Sequence, residues 1–413
     1  MSDAPITSLY VHVPFCARKC HYCAFYSEPV DPRLSDRYVA ALVREMDLVS
    51  ADLRPETVYF GGGTPSLLTL QQWENVLAAM TRLRWLGAAE WTVECNPGTL
   101  TEDKARWWRE CGINRVSLGL QSLDDALLER LGRIHTRAMA GESYDLLRRA
   151  GFPNVNVDLM FAIPGQTMAS WQTTLREALA LGSEHLSCYE VTYEEDTRLY
   201  EQLRAGRFTV NDDLACDMYE ALADQAGAAG FCHYEVSNFA RRQPLNPPSP
   251  RIGEFAGPNP GPGPSPDQFD CNSAAEIPGL ACRHNVNYWR GGSFYGLGPS
   301  ASSYVRGCRG RNWADTRRYC ERLERGERPV ESVEELPPLA RAGELAAFGL
   351  RLHAGWPFAE FQQITGFDLR REWAAEIARL IDLGYGQMDA DRFRLTHRGL
   401  RFADWVAEQF LRS

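Results

Sequence analysis

The 413-residue sequence has no run of eighteen apolar residues, so a membrane-spanning helix is not expected. Its first residues, Met-Ser-Asp-Ala-Pro, lack the basic region and the apolar stretch of a secretion signal. Basic residues are also few, since 44 Lys and Arg stand against 54 Asp and Glu and leave a net charge of −10. We therefore expect a cytosolic protein without nucleic acid as a main partner, because phosphate binding needs clustered cations.

Twelve cysteines are present, and in a long chain without a signal they are typical of reduced thiols and metal ligands rather than disulfides. Three of them form Cys16-Ala-Arg-Lys-Cys20-His-Tyr-Cys23 directly after a predicted strand. Such a CxxxCxxC loop supplies three thiolates, which fits a [4Fe-4S] cluster whose fourth iron is left open for a ligand. Zinc is the alternative, but it usually takes four ligands from paired knuckles, and no second knuckle follows nearby in the sequence.

Short β-rich runs alternate with segments of helical apolar spacing. The predicted strands are 8–13, 57–60, 91–95, 115–119, 155–159 and 185–189, and clear helices between them are 33–49, 70–83, 125–131 and 169–181. Six βα units predict an α/β fold with a parallel sheet. The sheet is either curled as an incomplete barrel or open and doubly wound.

Residues 241–282 interrupt this repeat with ten of the 24 prolines and five glycines, which predicts a flexible insertion. Its cysteines, Cys271 and Cys282, are expected to face solvent, and a role as metal ligands is the alternative. The β/α part is therefore assigned to residues 1–240. A linking segment is assigned to 283–335 and a C-terminal module to 336–413.

The C-terminal module shows a different order of elements. Predicted helices at 340–353, 358–364 and 370–383 precede a strand pair at 385–389 and 392–396, and a last helix starts at Arg398. This order is typical of a winged-helix-like α+β module, a class that often binds DNA. Because residues 338–413 hold ten Arg and ten acidic residues, we expect docking to another protein or within this chain instead.

A glycine-rich segment, Tyr59-Phe-Gly-Gly-Gly-Thr-Pro-Ser66, follows the second predicted strand. Its glycines let backbone amides approach a ligand closely, although a plain connecting turn is the alternative. Polar residues recur at or just beyond other strand ends, namely Glu94, Gln121, Arg133 and Asp158. In a barrel these ends face the ligand pocket, whereas structural salt bridges are the alternative.

Together these motifs resemble the radical SAM superfamily, and within it the oxygen-independent coproporphyrinogen III oxidase-like group. The resemblance implies an incomplete (β/α)6 barrel, a [4Fe-4S] cluster on Cys16, Cys20 and Cys23, and S-adenosylmethionine on the open iron. The segment from Gly296 to Ser302 resembles the family's segment near the adenosyl group, with a linker as the alternative. The implied S-adenosylmethionine contacts are Tyr10, Tyr22, Gly62, Gly63, Thr64, Glu94, Gln121, Arg133, Asp158 and Ser302.

Two features make the sequence most similar to the HemW-type heme chaperones of this group. The coproporphyrinogen dehydrogenases carry CxxxCxxCxC, whereas Phe25 stands where the added cysteine is expected. The segment His284-Asn-Val-Asn-Tyr-Trp289 resembles a motif associated with heme, so His284 is the implied heme ligand. A histidine with a purely structural role is the alternative.

The resemblance also implies partners and activity. Heme is the implied cargo, and an acceptor hemoprotein, such as one of the respiratory chain, is the implied recipient, with peripheral membrane contact through that acceptor. The alternative is an oxygen-independent coproporphyrinogen III dehydrogenase that uses a 5′-deoxyadenosyl radical. Whether the chain cleaves S-adenosylmethionine is left open by the sequence.

Overall fold

The computed structural model describes residues 4–243 and 277–412, which form two compact units. The first unit comprises 4–218 and 293–334, and the second comprises 219–243, 277–292 and 335–412. This grouping differs from the predicted division, since 219–240 belong to the second unit and 293–334 to the first. Residues 244–276, most of the predicted insertion including Cys271, lie outside the described residues.

The first unit is built on seven parallel strands in the order β11-β1-β4-β5-β6-β7-β8. Six of them are the strands of the predicted repeat: β1 (Ile6–Val13), β4 (Leu53–Gly62), β5 (Glu90–Cys95), β6 (Arg115–Gln121), β7 (Asn154–Phe161) and β8 (His185–Glu190). The seventh, β11 (Tyr295–Leu297), pairs with β1 and brings the later segment back to the first unit. The predicted α/β class and βα repeat are confirmed.

Helices and short strands complete this unit. The helices are α1 (Pro32–Val49), a 3-10 turn (Pro65–Leu67), α2 (Leu70–Arg82), α3 (Glu102–Glu110), α4 (Asp125–Arg130), α5 (Arg137–Arg149), α6 (Met168–Ala180), α7 (Arg198–Arg204) and α10 (Thr316–Glu324), while α8 (Asp212–Ala228) continues into the second unit. The short strands are β2 (Phe15–Cys16), β3 (Glu28–Pro29), β12 (Ser302–Val305), β13 (Cys308–Asn312) and β14 (Val330–Glu335). Polar N-cap residues begin these helices. For example, the Thr69 hydroxyl accepts a hydrogen bond from the Gln72 amide.

Over most of their length, the parallel strands of the repeat alternate between apolar and polar side chains. The apolar face packs on the helices, where the Phe60 ring lies 5.0 Å from that of Trp73 and Trp73 lies 5.3 Å from Trp108. The opposite, inner face is largely polar, and its residues include Ser8, Tyr10, His12, Thr57, Tyr59, Thr92, Glu94, Arg115, Ser117, Asn156, Asp158, His185 and Ser187. A parallel sheet covered on both faces normally reads as continuous apolar runs. This inner face is therefore suited to a polar ligand rather than to a packed core.

The second unit combines helices with small antiparallel sheets. Its elements are β9 (Cys232–Glu235), β10 (Asn238–Ala240), α9 (Arg283–Trp289), α11 (Pro338–Gly349), β15 (Trp356–Pro357), α12 (Phe358–Thr365), α13 (Leu369–Glu372), α14 (Ala374–Asp382), β16 (Gly386–Met388), β17 (Arg392–Leu395), α15 (His397–Leu400) and α16 (Ala403–Phe410). The predicted order of helices and strand pair is confirmed. The predicted helix 370–383 is divided at Trp373, whose ψ of 32° is not helical and whose indole donates to the Phe410 carbonyl at 2.9 Å. Within residues 4–243 and 277–412, no helix has the length and apolar character needed to span a bilayer.

Candidate functional site

The three cysteines of the CxxxCxxC motif lie on one loop after β1. All three are free thiols and partly exposed. Burial raises the pKa of the Cys16 thiol, and burial also raises that of Cys23 to about 11. Burial thus disfavours the thiolates of Cys16 and Cys23, so a bound metal would have to supply the charge that ionises them.

Two predicted site residues donate hydrogen bonds to the sulfurs of this loop. The Thr64 hydroxyl lies 3.6 Å from Cys16 Sγ, and Arg133 Nη1 lies 3.5 Å from Cys20 Sγ. Hydrogen bonds to ligand sulfurs are a known means of stabilising iron-sulfur clusters. Among the described residues, no three His, Cys, Asp or Glu side chains converge on a point that would hold a single ion. A [4Fe-4S] cube takes each thiolate on a different iron, so the donor set fits a cluster.

The glycine-rich segment packs against the start of the cysteine loop. The Gly63 amide donates to the Val13 carbonyl at 2.8 Å, and the Thr64 amide donates to the Phe15 carbonyl at 2.7 Å. A Cβ on Gly63 would lie 2.7 Å from both of those carbonyl oxygens. Gly62 has a φ of +100°, and a Cβ there would lie 2.4 Å from the His12 ring. Glycine is therefore required at positions 62 and 63 because the two loops approach each other too closely there for a Cβ.

Asn96 and Arg133 form a hydrogen-bonded centre between the loops. Arg133 Nη2 donates to Asn96 Oδ1 and to the Gly119 carbonyl, both at 2.7 Å. Asn96 Nδ2 donates to the Thr64 hydroxyl at 2.9 Å. Gln121 adjoins this centre, since a Cβ on Gly119 would lie 3.1 Å from Gln121 Nε2. Sequence reasoning missed Asn96, although it directly follows β5 two positions after Glu94.

Glu94 is partly buried and lies on the inner face of the sheet. Its two carboxylate oxygens accept from the Tyr59 hydroxyl at 2.9 Å and from the Gly62 amide at 3.2 Å. Burial, and after it the nearby charge of Asp158, raise the pKa of Glu94 to about 7, against the effect of these hydrogen bonds. Such a carboxyl is suited to binding a cationic group.

The second carboxyl, Asp158, is held by its neighbours on β6 and β7. It accepts from Ser117 Oγ at 3.0 Å and from Asn156 Nδ2 at 2.7 Å. His185 Nδ1 lies 2.6 Å from Asn156 Oδ1, so His185 donates to the amide that orients Asp158. Burial raises the pKa of Asp158, and the bonds from Ser117 and Asn156 lower it. Both oxygens of the carboxyl are therefore fixed in direction.

The other predicted contacts in the first unit are Tyr10, Tyr22 and Ser302. The Tyr10 hydroxyl lies 3.1 Å from His12 Nδ1 on the inner face. Tyr22 packs against an apolar cluster that includes Leu131, and burial raises the pKa of its phenol while Arg133 lowers it. Ser302 begins β12 beside β11. The structure thus joins Thr64 and Arg133 through Asn96, bonds Glu94 to the Gly62 amide, and places Ser302 on another strand.

His284 belongs to the second unit. It lies on α9, is 1% exposed, and its Nε2 is 2.7 Å from the Tyr288 hydroxyl. Iron binding through Nε2 requires this hydroxyl to move away. Cys282, at the start of the same helix, is fully buried, so the expectation that it faces solvent was wrong. Its backbone amide donates to the Tyr234 hydroxyl at 3.3 Å.

Comparison with known proteins agrees with the geometry. The sequence family described as the radical SAM superfamily matches residues 10–178, and the HemN C-terminal domain matches residues 336–402. The heme chaperone HemW of Lactococcus lactis is 30% identical over 406 residues, covering 98% of this chain and 97% of that protein. Its namesake in Escherichia coli is 31% identical over 420 residues and the full length of both chains. The Mycobacterium tuberculosis protein of that name is 32% identical over 415 residues, with 98% and 94% coverage.

The fold has a counterpart of known structure. Coproporphyrinogen III oxidase (HemN) from Escherichia coli superposes with a TM-score of 0.79 at 19% identity, covering 99% of this chain and 91% of that one. At this identity the likeness concerns the fold alone. The family implies a [4Fe-4S] cluster and S-adenosylmethionine as cofactors. The chain belongs to the radical SAM superfamily and, within its HemN-like group, to the HemW type.

Proposed function

We propose that this chain is a heme chaperone that binds heme, a [4Fe-4S] cluster and S-adenosylmethionine, and passes heme to an acceptor hemoprotein. The observation that carries the proposal is the full-length similarity to proteins named heme chaperone HemW. The acceptor, for example a hemoprotein of the respiratory chain with its membrane contact, is part of the same proposal.

In this proposal Cys16, Cys20 and Cys23 hold the cluster, and the open iron supplies a binding site for the amino and carboxylate groups of S-adenosylmethionine. The hydrogen bonds from Thr64 and Arg133 stabilise negative charge on the cysteine sulfurs.

The inner-face carboxyls hold the rest of the ligand. Glu94 lies beside the Gly62 amide and favours the ammonium and sulfonium charges. Asp158 is oriented by Ser117 and Asn156 to accept from ribose hydroxyls. Tyr10, Tyr22, Gly63, Gln121 and Ser302 complete the proposed contacts.

The assignment of His284 as the heme ligand is tested by optical titration of the anaerobically reconstituted protein with heme. We expect a Soret band that His284→Ala weakens strongly, because a neutral imidazole is lost from the iron. Tyr288→Phe removes the hydroxyl that occupies His284 Nε2 at 2.7 Å, so it is expected to bind heme several-fold more tightly. Weaker binding in Tyr288→Phe, or equal binding by His284→Ala and the wild type, would remove His284 from the proposed site.

The alternative activity is tested separately. Phe25 stands in the place of the added cysteine and is 69% exposed beside the cysteine loop. An anaerobic assay with coproporphyrinogen III, S-adenosylmethionine and dithionite is expected to yield no protoporphyrinogen. Formation of that product would overturn the chaperone proposal in favour of a dehydrogenase.

A further inference from the structure

A continuous hydrogen-bonded network crosses the neighbouring strands β6, β7 and β8 on the inner face of the sheet. His185 Nδ1 lies 2.6 Å from Asn156 Oδ1, and the Ser187 hydroxyl donates to the same oxygen at 3.1 Å. Asn156 Nδ2 donates to Asp158 Oδ1 and to Ser117 Oγ, both at 2.7 Å. Ser117 Oγ in turn donates to Asp158 Oδ2 at 3.0 Å. One network therefore holds both oxygens of the Asp158 carboxylate.

The register of the strands brings these side chains together. Asn156 pairs with Ser117 on β6 and with His185 on β8, and Asp158 pairs with Ser187. Side chains at paired positions of neighbouring strands lie on the same face of the sheet. Asn156 is 1% exposed and His185 is 0% exposed, whereas Asp158 is only partly buried. The network thus begins in the interior and ends at a carboxylate that a ligand can reach.

The same hydrogen bonds fix which nitrogen of His185 carries the proton. A carboxylate only accepts hydrogen bonds, so Asn156 Nδ2 faces Asp158 and Asn156 Oδ1 faces the imidazole. Because an amide oxygen also only accepts, the proton of His185 lies on Nδ1. Burial, and after it the charge of Arg115, lower the pKa of His185 well below its usual value, so the ring is neutral and has one N–H. Without this donor, the Asn156 amide can turn over and present its oxygen to the carboxylate.

Stability alone does not account for this network. Buried polar groups cost free energy unless they are paired, and apolar groups of the same shape are often as stable. Both hydrogens of the Asn156 amide and both lone pairs of its oxygen are used within the network. The bonds from Asn156 and Ser117 use one lone pair on each Asp158 oxygen, and a second lone pair on each oxygen can accept from a ligand. Two acceptors side by side match the adjacent hydroxyls of a ribose.

We propose that His185, acting through Asn156, is a positioning residue by which the chain selects a ribose over a deoxyribose in its adenosyl ligand. The inference rests on the contact of Asp158 with S-adenosylmethionine that the proposed function includes. His185 and Asn156 hold the carboxylate in the direction in which each oxygen accepts from one hydroxyl. A ligand without these hydroxyls leaves charged oxygens unpaired and is bound more weakly.

The test compares S-adenosylmethionine with its 2′,3′-dideoxy analogue, and calorimetry measures the binding of each to the anaerobically reconstituted full chain. We expect the wild type to bind S-adenosylmethionine at least about tenfold more tightly than the analogue. His185→Phe keeps a ring but loses the N–H, so the preference is expected to fall to about threefold or less while the analogue binds as before. His185→Asn places an amide N–H near the position of Nδ1. It is expected to keep the preference, although the smaller side chain lowers the melting temperature.

His233→Phe is the matched control, since it makes the same exchange in the second unit, where His233 packs against the Phe239 ring at 4.2 Å. It is expected to keep the wild-type preference, and iron analysis verifies that each variant carries the cluster.

The positioning role is overturned if His185→Phe keeps the wild-type preference, or if His185→Asn loses it to the same extent as His185→Phe. If the wild type binds heme and S-adenosylmethionine but does not distinguish the analogue, the ribose contact and this inference fail while the heme function stands. If the wild type binds neither nucleoside, the cofactor part of the proposed function fails as well.

Discussion

Glu94 combines burial with a nearby negative charge, and both effects oppose its ionisation. Burial raises its pKa to about 7, with Asp158 as a further cause, while Tyr59 and Gly62 donate to the charged form. A cationic ligand would favour the carboxylate and lower the pKa again. Binding of such a ligand at mildly acidic pH must therefore release a proton from Glu94.

This linkage predicts the pH dependence of S-adenosylmethionine binding. Below pH 7 free Glu94 holds a proton that the complex does not, so the affinity rises by up to about tenfold per pH unit and levels off above pH 7. Glu94→Gln is expected to lower the affinity at pH 8 and to abolish the slope. Calorimetry between pH 5.5 and 8.5, in two buffers of different ionisation enthalpy, measures the affinity and the released proton.

The exposed Glu110, at the end of α3, supplies the control. Glu110→Gln is expected to retain both affinity and slope. If Glu94→Gln keeps the wild-type slope, the proton comes from another group and the electrostatic account of the inner face is wrong.

At the residue scale, the sequence reveals the site residues whose positions follow from the alternation of side chains along a predicted strand. Glu94 and Asp158 lie at the ends of predicted strands, and the strand alternation assigns both to one face. Asn96 has no such pattern, because its importance comes from bonds to Thr64 and Arg133 on two other segments. Side chains that join loops are specified by tertiary structure alone.

At the element scale, the glycine-rich loop is held against the cysteine loop by backbone hydrogen bonds. Gly63→Ala would place a Cβ 2.7 Å from the Val13 and Phe15 carbonyl oxygens, and backbone cannot rotate away as a side chain does. We expect a loss of about 1–3 kcal/mol in stability and less iron per chain after anaerobic reconstitution. Thermal unfolding and iron and sulfide analysis measure the two effects.

Gly227 provides the matched glycine. It lies within α8, and a Cβ there would meet no atom within 4 Å. Gly227→Ala is expected to leave iron content unchanged and to raise stability by up to about 1 kcal/mol, since alanine favours the helix. Wild-type iron content in Gly63→Ala would show that the cysteine loop does not depend on this contact.

The long strands can be predicted from the sequence pattern, whereas the short ones cannot. The six strands of the repeat are apolar on the face toward the helices, and each is found at its predicted place. By contrast, β11 has three residues within a glycine-rich segment and no period that could reveal it. Its position is set by pairing with β1, for which the local sequence contains no information.

At the scale of the whole molecule, a buried carboxyl on α1 connects the late segment 293–334 to the earlier part of the first unit. Glu45 accepts from the Gly298 amide at 2.8 Å, from Asn312 Nδ2 at 2.7 Å and from the Tyr319 hydroxyl at 2.6 Å. These partners lie 253 to 274 positions away in the chain. An acidic residue in an amphipathic helix is normally read as surface, so the sequence did not reveal this connection.

Burial raises the pKa of Glu45 to about 7, against the effect of its three hydrogen bonds. The folded chain therefore keeps a proton that the unfolded chain loses above about pH 4.5, and its stability falls as pH rises from 4.5 to 7. At about 1.4 kcal/mol per pKa unit, the loss approaches 3 kcal/mol.

Glu45→Gln cannot ionise, so it is expected to gain stability relative to the wild type between pH 5 and 8, as measured by urea unfolding. Glu331→Gln, on exposed β14, should follow the wild-type curve. Parallel curves for Glu45→Gln and the wild type would mean that Glu45 is ionised throughout and that its three donors outweigh its burial.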